Sequence, residues 1–152
     1  MISFSNILFP VDLSESSPII APYVTSLAEK LNASIHLLTV VRDFSYFASL
    51  AAPDNMVSIA TQEIIDLTME RLIEFKEEHF STFENTKYLV VYGDIPESIL
   101  KYAKAHEIDI IVMGTHGRKG LEKIVFGSVT ERIVKSSPIP VLTMTPQRLT
   151  EL

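Results

Sequence analysis

Short apolar runs recur along the chain, and longer segments with a helical spacing of polar and apolar residues separate them. The runs are rich in Ile, Leu and Val and do not alternate strictly between apolar and polar positions. Continuous apolar runs of this length are typical of parallel strands that are buried on both faces. We therefore predict five buried strands, which cover residues 6–12, 34–41, 87–93, 108–114 and 139–144.

The segment after the first apolar run has the signals of an amphipathic helix. Ser14 or Ser16 is suited to cap its start, and Pro18 is tolerated in its first turn. Pro22 also lies early enough to be accommodated. Apolar residues recur at three- and four-residue spacing, so we expect one face to consist of Ile20, Val24, Leu27 and Leu31.

Three further helices are predicted. A long one covers residues 57–80, and shorter ones cover residues 95–106 and 128–136. Residues 42–56 contain aromatic side chains without a clear period, so we expect a loop there, and we expect an irregular tail from Thr145. The core-facing side of the long helix is predicted to consist of Ile65, Met69, Leu72 and Ile73.

The predicted elements alternate regularly between strand and helix. This order predicts an α/β fold, a parallel sheet with helices on both faces, and the length fits a single domain over residues 1–152. In open sheets of this kind, ligands bind beyond the carboxyl ends of the strands, where the strand order reverses. Two predicted strand ends carry groups suited to a ligand, namely Asp12 and the loop that starts at Gly114.

Charge and composition argue against several classes of function. The net charge is -6 and there is no block of Lys or Arg, which disfavours nucleic acid or an anionic membrane as the main partner. The chain has no cysteine, so disulfides and thiolate chemistry are excluded. The N-terminal residues do not resemble a signal peptide, and no apolar run reaches the roughly 18 residues of a membrane span. We therefore expect a cytoplasmic protein.

Four of the five glycines lie within residues 114–133, the segment GTHGRKGLEKIVFGSVTERI. Glycine has no Cβ and permits unusual backbone angles, so main-chain amides in such a loop can approach and bind an anion. Gly127 and Ser128 open a predicted helix whose first N–H groups and dipole favour negative charge. The loop is therefore suited to a di- or triphosphate. The alternative is a surface turn with ordinary helix capping.

The spacing of this loop, G-x2-G-x9-G-S from Gly114 to Ser128, resembles the nucleotide-binding signature of the universal stress protein family. The preceding DIIVMG is similar to that family's fourth strand, and SVTERIVKSSPIPVLTM is similar to its fourth helix and fifth strand. The segment NILFPVDLSESS resembles the family's opening strand and turn, and GDIPESIL resembles its third strand–helix junction. The resemblance thus extends over nearly the whole chain.

The resemblance implies both a fold and a ligand. The fold is an open five-stranded parallel sheet in the order 3-2-1-4-5, which is Rossmann-like and adenine nucleotide alpha-hydrolase-like. The implied ligand is ATP or another adenine nucleotide, with Mg²⁺, bound across the first and fourth strands. The resemblance also implies a homodimer that forms through the last strand, residues 139–144, since an exposed edge strand is suited to pairing.

The resemblance assigns the contacts of the nucleotide to four places in the chain. Adenine and ribose are implied to meet Pro10, Val11, Asp12 and, through its main chain, Val40. The ribose side is implied to be lined by Met113 and Gly114. The phosphates are implied to lie along Gly117 and Arg118 and to be held at the helix start by Gly127, Ser128, Val129 and Thr130.

Several of these residues have an alternative role. Asp12 could contact ribose or Mg²⁺, or it could cap the turn after the first strand. His116 could meet a phosphate oxygen or face solvent. The aromatic residues of the 42–56 loop, Phe44, Tyr46 and Phe47, could cover adenine, form a partner surface or pack onto the second helix. The other histidines show no metal-ligand spacing and are expected to be structural or exposed: His36, His79 and His106.

The sequence contains no evident catalytic centre. It has no nucleophile elbow, no carboxylate pair that spacing would bring together, and no lysine in a phosphate-binding loop of the P-loop type. We therefore expect an ATP-binding regulatory or stress-response module with no catalytic residue. The alternatives are a slow Mg²⁺-dependent ATPase or autokinase, and a nucleotide-free scaffold.

Overall fold

The computed structural model describes residues 1–115 and 127–151, in which the strands form one parallel sheet. The strands are β1 (Asn6–Pro10), β2 (Ser34–Arg42), β3 (Lys87–Gly93), β4 (Ile110–Gly114) and β5 (Val141–Met144). The described helices are α1 (Ser16–Leu31), α2 (Ser45–Ser49), α3 (Asp54–Phe80), α4 (Ile95–Ala105), α5 (Ser128–Ser136) and α6 (Pro146–Leu149). The strand order is β3-β2-β1-β4-β5, which confirms the predicted α/β fold and its order 3-2-1-4-5.

β1 is the central strand of the sheet. It pairs in parallel with β2, where Pro10 lies beside Leu38, and with β4, where Leu8 lies beside Ile111. The chain runs outward from β1 through β2 to β3, and then outward on the other side from β4 to β5. The helical connections that follow β1 and β4 therefore lead to opposite edges of the sheet. A crevice opens between these two strands at their carboxyl ends.

Helices cover both faces of the sheet. α1 and α3 pack on one face, where Ile7, Phe9 and Leu72 are buried, and α4 and α5 pack on the other, where Leu8 and Ile111 are buried. Successive residues of β1 thus point to opposite layers, as the pleat of a strand requires. Because both layers are apolar, each strand reads as a continuous apolar run.

Residues 42–56 contain the short helix α2, so the prediction of a loop throughout this segment is wrong. The Asp43 carboxylate accepts a hydrogen bond from the main-chain N–H of Ser45 at 2.8 Å, and this contact starts the turn. The same carboxylate accepts a hydrogen bond from the hydroxyl of Tyr92 at the end of β3. α2 therefore depends on a contact across the sheet that a local apolar period does not indicate.

Two helix boundaries also differ from the prediction. α3 begins at Asp54, because Pro53 precedes it with extended backbone and the carboxylate of Asp54 lies in the first turn, where the helix dipole favours it. Beyond Thr145, α6 forms one helical turn that Pro146 opens, in place of an irregular tail.

The buried faces of two helices are rotated slightly from the predicted ones. Leu31 of α1 is 37% exposed, since the buried face includes Ala21 and Ala28, whose small side chains let the helix lie close to the sheet. Ile73 of α3 is 38% exposed, because the adjacent Leu72 occupies the core position. The predicted inner faces are thus wrong at these two residues.

Candidate functional site

A cavity of about 620 Å³ opens at the carboxyl ends of β1, β2 and β4. Residues from the starts of α1, α4 and α5 form its walls, so both layers of the fold contribute. Sites for small molecules typically have volumes of about 300–1,000 Å³. The structure thus places a ligand-sized hollow where the strand order reverses.

All the predicted binding residues that the structure describes line this cavity. They come from separate parts of the chain and are Pro10, Val11, Asp12, Val40, Met113, Gly114, Gly127, Ser128, Val129 and Thr130. The remaining predicted residues, His116, Gly117 and Arg118, lie outside the described residues. The fold therefore brings together residues that are far apart in sequence.

Asp12 organises the turn between β1 and α1. Its Oδ1 accepts hydrogen bonds from the main-chain N–H of Ser14 at 3.0 Å and from the hydroxyl of Ser17 at 3.1 Å. The intervening Leu13 has a φ of 58°, a left-handed conformation that costs energy in a residue other than glycine. The turn-capping role of Asp12 is thus present in the structure. Of the two serines suited to cap α1, Ser14 accepts a hydrogen bond through its Oγ from the N–H of Ser16 at 3.3 Å, whereas Ser16 is itself the first residue of the helix.

Gly127, Ser128, Val129 and Thr130, at the start of α5, line the cavity. The N–H of Gly127 donates to the Thr115 carbonyl at 2.9 Å, and the Thr130 hydroxyl donates to the Gly114 carbonyl at 2.9 Å. In the described part of the chain, no side chain caps this helix. The main-chain N–H groups of its first turn therefore remain available to a ligand.

The backbone of Gly127 does not itself require glycine. Its φ of −59° is open to any residue. A Cβ at this position would lie 3.4 Å from the carbonyl oxygen of Thr115, at the border of ordinary contact. A larger side chain would extend from this point beside the cavity that Gly127 itself lines.

Several cavity residues were not predicted from the sequence. Thr39 of β2 is 5% exposed, and its hydroxyl has no hydrogen-bond partner within the described residues. A polar residue inside an apolar strand is the signal that could have indicated it. Ile95 and Ile99 line the cavity from α4, and Arg42 lines it at the end of β2. Phe44, for which the sequence left a place over the ligand as one alternative, also lines the cavity.

Hydrogen bonds at the end of β2 hold Phe44 in place. Asp43, the residue before it, accepts hydrogen bonds from Tyr92 and Ser45, and these bonds lower the pKa of the Asp43 carboxyl. Phe44 itself is 58% exposed. An aromatic side chain thus lies at the opening of the cavity next to a fixed carboxylate.

Asp94 connects the two helices that cover the second face of the sheet. Its carboxylate accepts from Arg132 Nη1 of α5 at 3.1 Å and from the N–H of Glu97 at 3.1 Å, which caps α4. The hydrogen bond from Arg132, followed by that from Glu97, lowers the pKa of Asp94. The start of α4 is thereby tied to α5, and both helices border the cavity.

Few charged groups line the described part of the cavity. Asp12 and Arg42 are charged, and the described lining residues include no histidine or lysine. Within residues 1–115 and 127–151, no three His, Cys, Asp or Glu side chains are grouped so that they could hold a metal ion. The described helices include none that is long and apolar enough to span a bilayer.

The sequence and the fold of this chain are similar to those of known universal stress proteins. The sequence pattern of the universal stress protein family matches residues 3–144. Universal stress protein MJ0577 of Methanocaldococcus jannaschii is 32% identical over 155 residues, which cover 94% of this chain and 96% of the relative. The solved structure of MJ0577 has a TM-score of 0.76 at 30% identity and covers 95% of this chain and 97% of its own.

Two further solved structures share the fold. Universal stress protein UspA from Lactobacillus plantarum has a TM-score of 0.78 at 26% identity and covers 95% of this chain and 99% of its own. A universal stress protein in complex with cAMP has a TM-score of 0.60 at 19% identity, with coverage of 95% and 99%.

The strand order and the cavity at its reversal define an open, Rossmann-like α/β protein with a ligand-sized cavity. The match over residues 3–144 and the 32% identity to a full-length relative identify the group within this class. The chain belongs to the universal stress protein family.

Proposed function

We propose that this protein binds ATP or another adenine nucleotide in the cavity and acts as a nucleotide-dependent regulatory module of the stress response in the cytoplasm. One observation carries the proposal. The resemblance to the family assigns a set of residues to the nucleotide, and every one of them that the structure describes lines the same cavity. A relative with this fold forms a complex with cAMP, which is an adenine nucleotide, and this supports the assignment.

The base is proposed to lie at the end of the cavity bordered by β2 and α4. Val40 contributes main-chain groups there, and Ile95 and Ile99 contribute apolar surface. The buried hydroxyl of Thr39 gains a partner if a ring nitrogen or amino group of the ligand reaches it. Apolar walls with a few placed polar groups are suited to a purine.

Asp12 is proposed to hold the ribose. Both of its described hydrogen bonds use Oδ1, so Oδ2 can accept from a ribose hydroxyl. A carboxylate at this position repels phosphate, and it already compensates the positive end of the α1 dipole. The phosphates are therefore expected at the other helix start that opens into the cavity.

The phosphates are proposed to bind at the start of α5. The main-chain N–H groups of Ser128, Val129 and Thr130 lie in its first turn, where the helix dipole favours an anion. The Ser128 hydroxyl can donate an additional hydrogen bond. Mg²⁺ would bind through phosphate oxygens, which suits the lack of a three-ligand group in the described residues, and would keep much of its water shell.

A homodimer through β5 is also proposed. β5 is an edge strand, paired with β4 on one side. Its main-chain groups on the other side are suited to pair with the same strand of a second copy. The opposite edge, β3, lies against α3 and belongs to a different surface of the molecule.

Replacement of Gly127 by leucine tests the nucleotide site. The added side chain begins 3.4 Å from the Thr115 carbonyl oxygen and extends beside the phosphate position, so ATP affinity should fall at least about tenfold. Isothermal titration with ATP, ADP, AMP and cAMP measures the affinities and ranks the nucleotides.

Ser136→Leu is the matched control, because it places the same side chain at the exposed far end of α5. It should bind ATP as the wild type does, and both variants should keep the wild-type circular dichroism spectrum. The proposal fails if wild-type protein binds none of the four nucleotides, or if Gly127→Leu binds them with unchanged affinity.

A further inference from the structure

α3 has a second apolar face that points away from the core. Its inner face includes the buried Leu72, whereas the outer face carries Met56, Ile59, Ile64 and Leu67. These four side chains are 58%, 60%, 52% and 60% exposed. Met56 and Ile59 are three residues apart, as are Ile64 and Leu67, and the two pairs follow each other after eight residues, slightly more than two turns. The four side chains therefore form a stripe along about three turns of the helix.

α2, which contacts α3, carries three more exposed apolar side chains. Tyr46, Phe47 and Leu50 are 72%, 69% and 74% exposed. The rings of Tyr46 and Phe47 contact each other edge to face, with their centroids 5.5 Å apart. We call the seven residues the α2–α3 apolar surface: Tyr46, Phe47, Leu50, Met56, Ile59, Ile64 and Leu67.

Acidic residues lie along one side of this surface. Glu63, Asp66 and Glu70 are exposed and recur at three- and four-residue spacing after Ile59, so they share one row of α3. Asp66 accepts a hydrogen bond from the uncharged Gln62 at 2.8 Å. Within residues 1–115 and 127–151, none of the three carboxylates forms an ion pair.

We propose that the α2–α3 apolar surface binds an amphipathic helix of a partner protein that carries Lys or Arg beside its apolar face. The apolar stripe matches the length of about three to four helical turns, and aromatic residues such as Tyr46 and Phe47 are frequent anchors of interfaces. The acidic row offers charge complementarity to a basic flank, which gives the complex orientation and speeds association. None of the seven residues lines the cavity, so the proposal does not depend on nucleotide binding.

A second copy of this chain is a poorer occupant of the same surface. In an antiparallel pair of α3 helices related by a two-fold axis, the same row of each helix would meet its counterpart. The acidic rows of both helices, which contain Glu63, Asp66 and Glu70, would then lie along the same side of the interface, where like charges repel one another. Arg71 does not offset this, since its guanidinium donates to the Leu13 carbonyl at 3.2 Å.

Fluorescence anisotropy with two labelled model peptides tests the proposal. Each peptide has about 14 residues, or four turns. Both have leucine at the same helical positions, and the other positions are lysine in one and glutamate in the other. The full chain should bind the lysine peptide, bind the glutamate peptide at least about tenfold more weakly, and lose affinity for the lysine peptide as salt rises.

Ile64→Lys should weaken binding of the lysine peptide at least about tenfold, because it places a cation in the apolar stripe. Val134→Lys is the matched control, since Val134 is 46% exposed on α5 and receives the same charge away from the surface. It should bind the peptide as the wild type does. Both positions are exposed, so both variants should keep the wild-type melting temperature.

Three results would overturn the proposal. One is equal affinity for the two peptides, and another is an Ile64→Lys variant that binds the lysine peptide as well as Val134→Lys does. The third is sedimentation equilibrium showing self-association that Ile64→Lys abolishes, because the occupant would then be a second copy. Loss of ATP binding in Gly127→Leu with retained peptide binding would separate this surface from the nucleotide site.

Discussion

His36 of β2 is fully buried under α4, and its surroundings disfavour a charged ring. Its Nδ1 shares a hydrogen bond with the Tyr102 hydroxyl at 3.0 Å, and its Nε2 has no partner within the described residues. Tyr102 in turn stacks on His106 with ring centroids 3.8 Å apart. Burial, together with the charges of Lys87 and His106, lowers the pKa of His36 from 6.5 to about 4.

The lowered pKa of His36 predicts a loss of stability in mild acid. Between pH 6.5 and about 4 the unfolded chain binds a proton at this histidine and the folded chain does not. The free energy of unfolding should therefore fall as the pH falls through this window, by roughly 3 kcal/mol for this group. Urea denaturation at a series of pH values measures the effect.

The double variant His36→Leu/Tyr102→Phe removes the titrating group and its hydrogen-bond partner together. Its unfolding free energy should depend less on pH in this window than that of the wild type, and the comparison cancels the contribution of the carboxylates. An unchanged slope in the double variant would contradict the assignment.

The start of β1 is held by a carboxylate that precedes β4. Asp109 Oδ2 accepts hydrogen bonds from the main-chain N–H groups of Ser5 at 2.7 Å and Asn6 at 2.9 Å. These bonds join two neighbouring strands at their amino ends, and they set the register in which β1 lies beside β4. The central strand thus depends on a residue about a hundred positions later in the chain.

Asp109→Ala should lower the free energy of unfolding by about 1–3 kcal/mol, because it leaves two main-chain donors without their charged acceptor. Asp109→Asn keeps an acceptor oxygen and should lose less. Thermal and urea unfolding of both variants measures the difference. If both were as stable as the wild type, the carboxylate would not hold this strand.

Helix and strand types were largely predictable, because they depend on local spacing and turn signals. The start of α4 is an example, since the Asp94 carboxylate caps the helix by accepting a hydrogen bond from the N–H of Glu97, only three residues later in the chain. α2 was not predictable, because the Asp43 carboxylate that starts it is fixed by Tyr92, 49 residues away. The second apolar face of α3 was also missed, because a helix with two apolar faces obscures the period of either one.

The outer edge of β5 decides whether two copies can pair. The Pro140 carbonyl accepts a hydrogen bond from the N–H of Ile111 in β4 at 3.0 Å, and the Met144 carbonyl accepts one at 2.8 Å from Thr115, which follows β4. Main-chain groups alternate in direction along a strand, so those of Val141 and Thr143 face the free edge. A strand from a second copy would bond to these groups.

Thr143→Pro should weaken the proposed homodimer at least about tenfold, because proline removes the outward N–H at this residue and leaves the inward bonds of its neighbours in place. Thr143→Val keeps the N–H and should dimerise as the wild type does. Sedimentation equilibrium measures both. A monomeric wild type, or a folded Thr143→Pro variant that dimerises normally, would contradict pairing through β5.

The α/β fold class could be predicted from apolar runs and helical spacing, which are local in the chain. The strand order and the ten cavity residues were implied by the resemblance to the family, and the structure shows that order and places those residues around one cavity. Thr39 and Arg42 were identified as cavity residues only in the folded molecule, and only the fold selected the cavity among the alternative places of Phe44. Their place depends on how β2 lies beside β1 and how α2 docks on α3. The same docking leaves an apolar and acidic surface exposed. Contacts between distant segments determine which residues line the cavity and which remain exposed. The reason is that both properties depend on which faces of the helices and strands pack together, and not on the local sequence of any one element.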